Sequence, residues 1–149
     1  MMRDADAFDE TLFLGAAANS KRDSYRLALF ARHLDEEERP LALLTIRGGT
    51  LIVTDRRILD LRTHLEVHGA WNVKEFQGYE IRRQIARSAI RTMEHQIAPA
   101  RDRPGVVEDS VLVDASDRVE VFTVSSGPEP TLSASDFERL RTASLGHAK

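Results

Sequence analysis

The chain contains no cysteine, which excludes a disulfide framework, a thiolate nucleophile and a cysteine-ligated zinc site, and agrees with a reducing cytoplasm. Aromatic residues make up 6% of the sequence, too few to suggest a platform for stacking the bases of a single strand. Neither sign of charge dominates. Lysine and arginine number 21 against 24 aspartates and glutamates, and a net charge of -3 gives no global pull toward nucleic acid, which is not expected as a partner. Nowhere do about eighteen apolar residues follow one another, so no membrane-spanning helix is expected. The opening MMRDADAFDE is acidic where a signal peptide would be basic and then continuously apolar. These features together predict a soluble, unprocessed, cytoplasmic chain.

Catalytic signatures are missing as well. There is no G-x-S-x-G elbow, no Walker glycine loop, no G-x-G-x-x-G after a strand and no C-x-x-C. His64 and His68 are spaced so that two nitrogens share one face, with Asp60 or Glu66 as a conceivable third ligand. HLEVH, however, lacks the glutamate directly after the first histidine that zinc peptidases use. The acidic run Asp35 to Glu38 reads as a solvated helix end, not the pair of dissimilar carboxyls that acid–base catalysis needs. The expectation is a protein that is not an enzyme and takes no metal or cofactor.

What the sequence does have is the pattern of one ordinary globular domain. The 149 residues are 42% hydrophobic and 30% charged, enough to bury a core without staples. Spacings of three to five between Phe8, Leu12 and Phe13, and between Tyr25, Leu29 and Phe30, predict two short helices from Ala5 to Glu38, the second capped by Ser20 or Asp23. Pro40 ends that region. Leu41 to Arg47 and Thr50 to Thr54 are strand-like, with Gly48-Gly49 as a hairpin turn. Asp55-Arg56 then turns the chain into Arg57 to Leu61, where Leu59 and Leu61 share one face and Ile58, Asp60 and Arg62 the other. A fourth strand is expected from Trp71 to Phe76.

From Tyr79 to Ala98, Ile81, Ile85, Ala89, Met93 and Ile97 recur every four residues among helix formers, which predicts a helix. Arg83, Arg87 and Arg91 would form a row on its opposite side. Two strands are the alternative reading of this segment. Asp109 to Asp114 and Val119 to Val124 read as a second hairpin, and Ser133 with Asp136 begins a final amphipathic helix carrying Phe137, Leu140 and Leu145.

The run HLDEEERPLALLTIRGGTLIVTDRRILDL, with Leu34 and Glu37 before the strands and Thr54-Asp55-Arg56-Arg57 as a turn, resembles the bacterial pleckstrin-homology-like domains, relatives of the GRAM and PH superfamily. The resemblance extends in order from Leu34 to Leu145. It implies a mainly β, α+β fold: an antiparallel sandwich or open barrel at 39–146, closed by a C-terminal helix. A helical extension at 1–38 and the helix near 79–98 would be additions, the latter inserted where the family carries strands. Lipid-binding members place cations around one open end of the sandwich. Arg47, Arg62, His64, His68 and Arg118 are the candidates here for an anion or headgroup site, although the second strand carries no basic residue. Arg56 and Arg57 are more readily read as turn chemistry than as a phosphate clamp. Arg83, Ile85, Arg87 and Arg91 are the candidate protein interface. The expected activity is non-enzymatic binding or assembly with a protein partner or a second copy, the alternative being a peripheral anionic-lipid module.

Overall fold

Runs of Leu, Ile, Val and Thr separated by tight turns fold into two largely antiparallel sheets, described by a computed structural model for residues 3–69, 71 and 73–146, with the side chains of His68 and Val73 outside the described set. The first sheet has the order β1 (Leu12–Leu14), β2 (Pro40–Ile46), β3 (Gly49–Thr54), β4 (Arg57–His68) and β5 (Val73–Ala86). β1 runs parallel to β2 and all other pairings are antiparallel. The second sheet has the order β6 (Ile90–Pro99), β7 (Val107–Ala115) and β8 (Arg118–Gly127). Among the described residues there are two α-helices, α1 (Ser24–Ala31) and α2 (Ala134–Leu145). The fold is therefore mainly β, a two-sheet sandwich without a closed barrel.

Alternation along each strand divides the apolar residues between two cores. Leu44, Ile46, Leu51, Val53, Ile58 and Ile85 face inward and meet Val111, Val113, Phe122 and Val124 of the second sheet, with Phe137 and Leu140 of α2 sealing the end. Leu43, Ile52, Leu59 and Leu61 face outward beneath Phe8, Leu27, Phe30 and Leu34 of the N-terminal layer. The sheet containing β2 to β4 is thus buried on both faces, which is why its strands read as continuous apolar runs.

The final helix forms as expected. The Ser133 hydroxyl accepts from the Asp136 amide at its N-terminus, and the Asp23 carboxylate does the same for Arg26 at the start of α1. The first hairpin is offset by one residue from its expected position. Ile46 pairs with Gly49, so Arg47-Gly48 forms the two-residue turn and Gly49 begins β3. Both glycines are required. Gly48 has φ +80°, and a Cβ on Gly49 would stand 2.5 Å from the Leu61 carbonyl oxygen and 2.7 Å from Cδ of Arg62.

Two expectations are corrected. The N-terminal region has one α-helix, not two. Its first half consists of 3-10 turns at Ala5–Phe8 and Gly15–Asn19 flanking β1. Phe13 packs on the outer core and Leu14 enters the inner one, the period of a strand serving two faces. The helix at 79–98 does not exist. β5 continues to Ala86, a 3-10 turn at Arg87–Ala89 crosses to the second sheet, and β6 follows. The fourth strand is correspondingly longer than Trp71 to Phe76. Trp71 lies in the turn before it, and Asn72 lies outside the described residues.

Candidate functional site

The expected cation cluster is dispersed through a chain of ion pairs. The Asp60 carboxylate, buried between the sheets, accepts from Arg62 Nε at 2.7 Å and Nη2 at 3.1 Å, and from Arg83 Nε at 2.9 Å. Arg83 reaches on to Glu120 at 3.0 Å while covering the ring of Phe122, 4.1 Å from its centroid. Glu120 also takes Arg118 Nε at 2.6 Å. Burial pushes the Glu120 carboxyl up, but hydrogen bonds from Arg118 and Arg83 outweigh it and hold the group below its ordinary value. Arg62 also donates at 2.9 Å to the Arg47 carbonyl, and Arg47 itself engages Ser126 at 2.9 Å and Glu108 at 3.4 Å. Of the five sequence candidates, Arg47 and Arg62 are neighbours and Arg118 joins them only through Glu120, Arg83 and Asp60. His64 stands farther along β4, paired at 2.6 Å with Glu80, and His68 ends that strand.

The Thr-Asp-Arg-Arg turn has a structural role. Glu38 is fully buried and receives a bidentate pair from Arg57, Nε and Nη2 both at 2.9 Å, together with the Thr54 hydroxyl at 2.6 Å and the Asp35 amide at 3.0 Å. Burial would raise the Glu38 carboxyl, yet these donors bring it below 4.5, and the same carboxylate raises Arg57. Glu38, not Glu37, is the residue that ties the approach to β2 into the turn. Asp55 exchanges bonds with the Arg39 backbone, closing the same corner from the other side.

The arginines expected in one row go to three different places. Arg83 belongs to the network above, Arg87 donates to the Ala143 carbonyl at 2.9 Å and the Ser144 carbonyl at 3.3 Å, and Arg91 donates to the Ser116 carbonyl at 3.1 Å. Ile85 is 2% exposed inside the inner core, which leaves it no surface to offer a partner.

Three features were not anticipated from the sequence. The first is an arm. Pairing of β3 with β4 stops at Leu61, whereas β4 and β5 stay paired out to His68 and Val73. Leu65 and Phe76 are cross-strand partners, Val67 follows on the same face, and Trp71 stands in the connecting turn, 88% exposed. Phe76 meets the edge of Tyr79, whose ring contacts Phe30, so this apolar face runs back to α1. The second is a cleft of about 380 Å³ between α1, the two 3-10 turns and the outer faces of β2 and β3. The third is a buried pair in the second sheet. Asp109 holds His95 with one oxygen and the amides of Thr131 and Leu132 with the other, at 3.0 and 2.9 Å, while His95 stacks on Phe137. These contacts fasten the proline-containing linker to β7. The sequence signals for the arm are an apolar residue every second position past Thr63 and the aromatic pair Trp71 and Tyr79 flanking a glycine-bounded strand, whose composition favours core packing; Tyr79 does pack on Phe30, whereas Trp71 is exposed. Nothing in the sequence relates Arg26 to β3 or His95 to the linker.

Among the described residues no group of three or more metal-ligating side chains converges, and no helix is long and apolar enough to cross a membrane. Comparison with protein-family models, curated proteins and solved structures returns no match.

Proposed function

We propose that the chain is a non-enzymatic, PH-like assembly module of the cytoplasm that associates with a second copy of itself through the β4–β5 arm. The observation that carries this reading is the exposure of Leu65, Val67, Trp71 and Phe76 on one extended hairpin, since soluble proteins rarely leave contiguous apolar surface without a use. An apolar face is complementary to its own copy without any matching of charges, which suits a two-fold contact. The PH-like part of the reading is supported by element order. Meander, later hairpin and closing helix follow in the implied sequence, and strands occupy the segment where that family carries them.

Headgroup binding at Arg47, Arg62 and Arg118 has less support, because each already engages a carboxylate. The test is the mass of the purified chain in solution, measured by light scattering over a concentration series for the parent and for Val67→Glu. A concentration-dependent dimer that Val67→Glu converts to monomer, with unfolding unchanged, is the expected result. A parent that is monomeric throughout overturns self-assembly, and salt-sensitive sedimentation with anionic vesicles would then favour the headgroup alternative.

A further inference from the structure

The cleft beneath the N-terminal layer has the construction of a site for a small organic anion. Its accessible apolar surface is formed by Phe13, Ala17 and Ala18, above the buried Phe8, Leu27, Phe30 and Leu43 of the outer core. Its volume of about 380 Å³ falls within the ordinary range of small-molecule sites. On its wall stands Arg26, resting against the Phe30 ring at 5.3 Å from the centroid. The guanidinium makes a single side-chain hydrogen bond, Nη2 to the Thr50 hydroxyl at 3.1 Å, and has no carboxylate partner among the described residues. Its Nε is buried with no hydrogen-bond partner, the one side-chain atom so placed among the described residues. This differs from Arg57, Arg62 and Arg83, which are each met by a buried carboxylate, and from Arg87 and Arg91, which donate to backbone carbonyls. A five-donor cation left with one neutral partner retains most of its capacity to bind an anion.

The neighbouring charges leave that capacity available. Asp9 is taken by Arg22 at 2.7 Å, and Asp23 is turned to the Arg26 backbone amide as the helix cap. Lys21 adds a second cation to the lining.

We infer that the cleft binds a monocarboxylate with an apolar chain or ring, its carboxylate on the Arg26 guanidinium and its body on the accessible apolar lining of Phe13, Ala17 and Ala18. A free phosphate would satisfy the cation but leave the apolar lining uncovered. A neutral alcohol would cover the lining and leave the cation unmet. Both halves of the ligand are needed, which places this site apart from the arm in both location and chemistry.

Calorimetric titration of the full chain with octanoate, octanol and inorganic phosphate tests the inference. Octanoate should bind saturably, and octanol and phosphate about tenfold more weakly or worse, the difference expected of a charge-assisted pair. Arg26→Gln should weaken octanoate by about tenfold and leave octanol unchanged. Ala18→Trp, on the exposed rim of the cleft, should block both while unfolding like the parent, so that loss of binding is separated from loss of fold. Octanoate that fails to bind, binds no better than octanol, or binds Arg26→Gln as well as the parent overturns the assignment. None of these outcomes bears on the arm, whose test reads mass alone.

Discussion

The two halves of the β4–β5 hairpin obey opposite rules. Near its base, Ile58, Leu59, Asp60 and Leu61 are all buried and are covered on both faces, by the second sheet and by the N-terminal layer. Beyond Thr63, residues Leu65, Val67 and Phe76 of the same two strands are exposed. The transition is marked by irregularities in pairing at Asp60/Leu61 and Thr63/Leu65 and by Gly78 at φ +90°. One continuous pair of strands therefore serves as core at one end and as surface at the other. Stability should be concentrated in the base, while the arm should tolerate change.

The largest expected effect sharpens that contrast. Ile85→Ala should cost about 2–5 kcal/mol in urea unfolding by opening a cavity in the inner core, whereas Leu65→Ala should stay within about 0.5 kcal/mol. Similar losses at the two sites would break the comparison. The ion pairs should divide in the same way. Glu38→Ala leaves the mostly buried Arg57 without its carboxylate, on Gln84 and the His33 carbonyl alone, and should cost about 3 kcal/mol, while Glu80→Ala, which frees the exposed His64, should cost at most about 1 kcal/mol.

The smallest effect is a pH dependence. The folded values of Glu38 and Glu120 lie below the ordinary 4.5, so the folded state binds fewer protons than the unfolded chain. Their contribution is present in full above pH 4.5 and is lost as pH falls through the depressed folded values. Denaturant midpoints measured across that window should fall with acidification in the parent, and less steeply in Glu38→Gln.

The base was largely legible in the sequence because its signals are local. Gly48 fixes the first hairpin, Thr54 with Asp55 fixes the next turn, and the faces assigned to Ile58, Leu59, Asp60, Leu61 and Arg62 are those observed. The segment after Tyr79 misled because Ile81, Ile85, Ala89, Met93 and Ile97 imitate a helix stripe. In fact Ile81 pairs with Leu61 toward the outer core, while Ile85 pairs with Ile58 toward the inner one. One extra residue near Arg82 reverses the alternation between them, and a spacing of four then carries no information about a shared face. The proposed sites were less legible still. Whether an arginine is free or spent depends on carboxylates distant in sequence: Glu120 for Arg83, Glu38 for Arg57, and none for Arg26.

Arg87 has a consequence for the order in which the fold can be completed. α2 has no basic residue in its last turn, so the carbonyls at its C-terminus are met by a guanidinium borrowed from the crossover between the sheets, 56 residues away at Ala143. A peptide of α2 alone lacks that donor as well as the apolar surface beneath Phe137 and Leu140. The helix therefore records the arrival of the rest of the chain, and backbone amide exchange in its last turn should report whether the two sheets have joined.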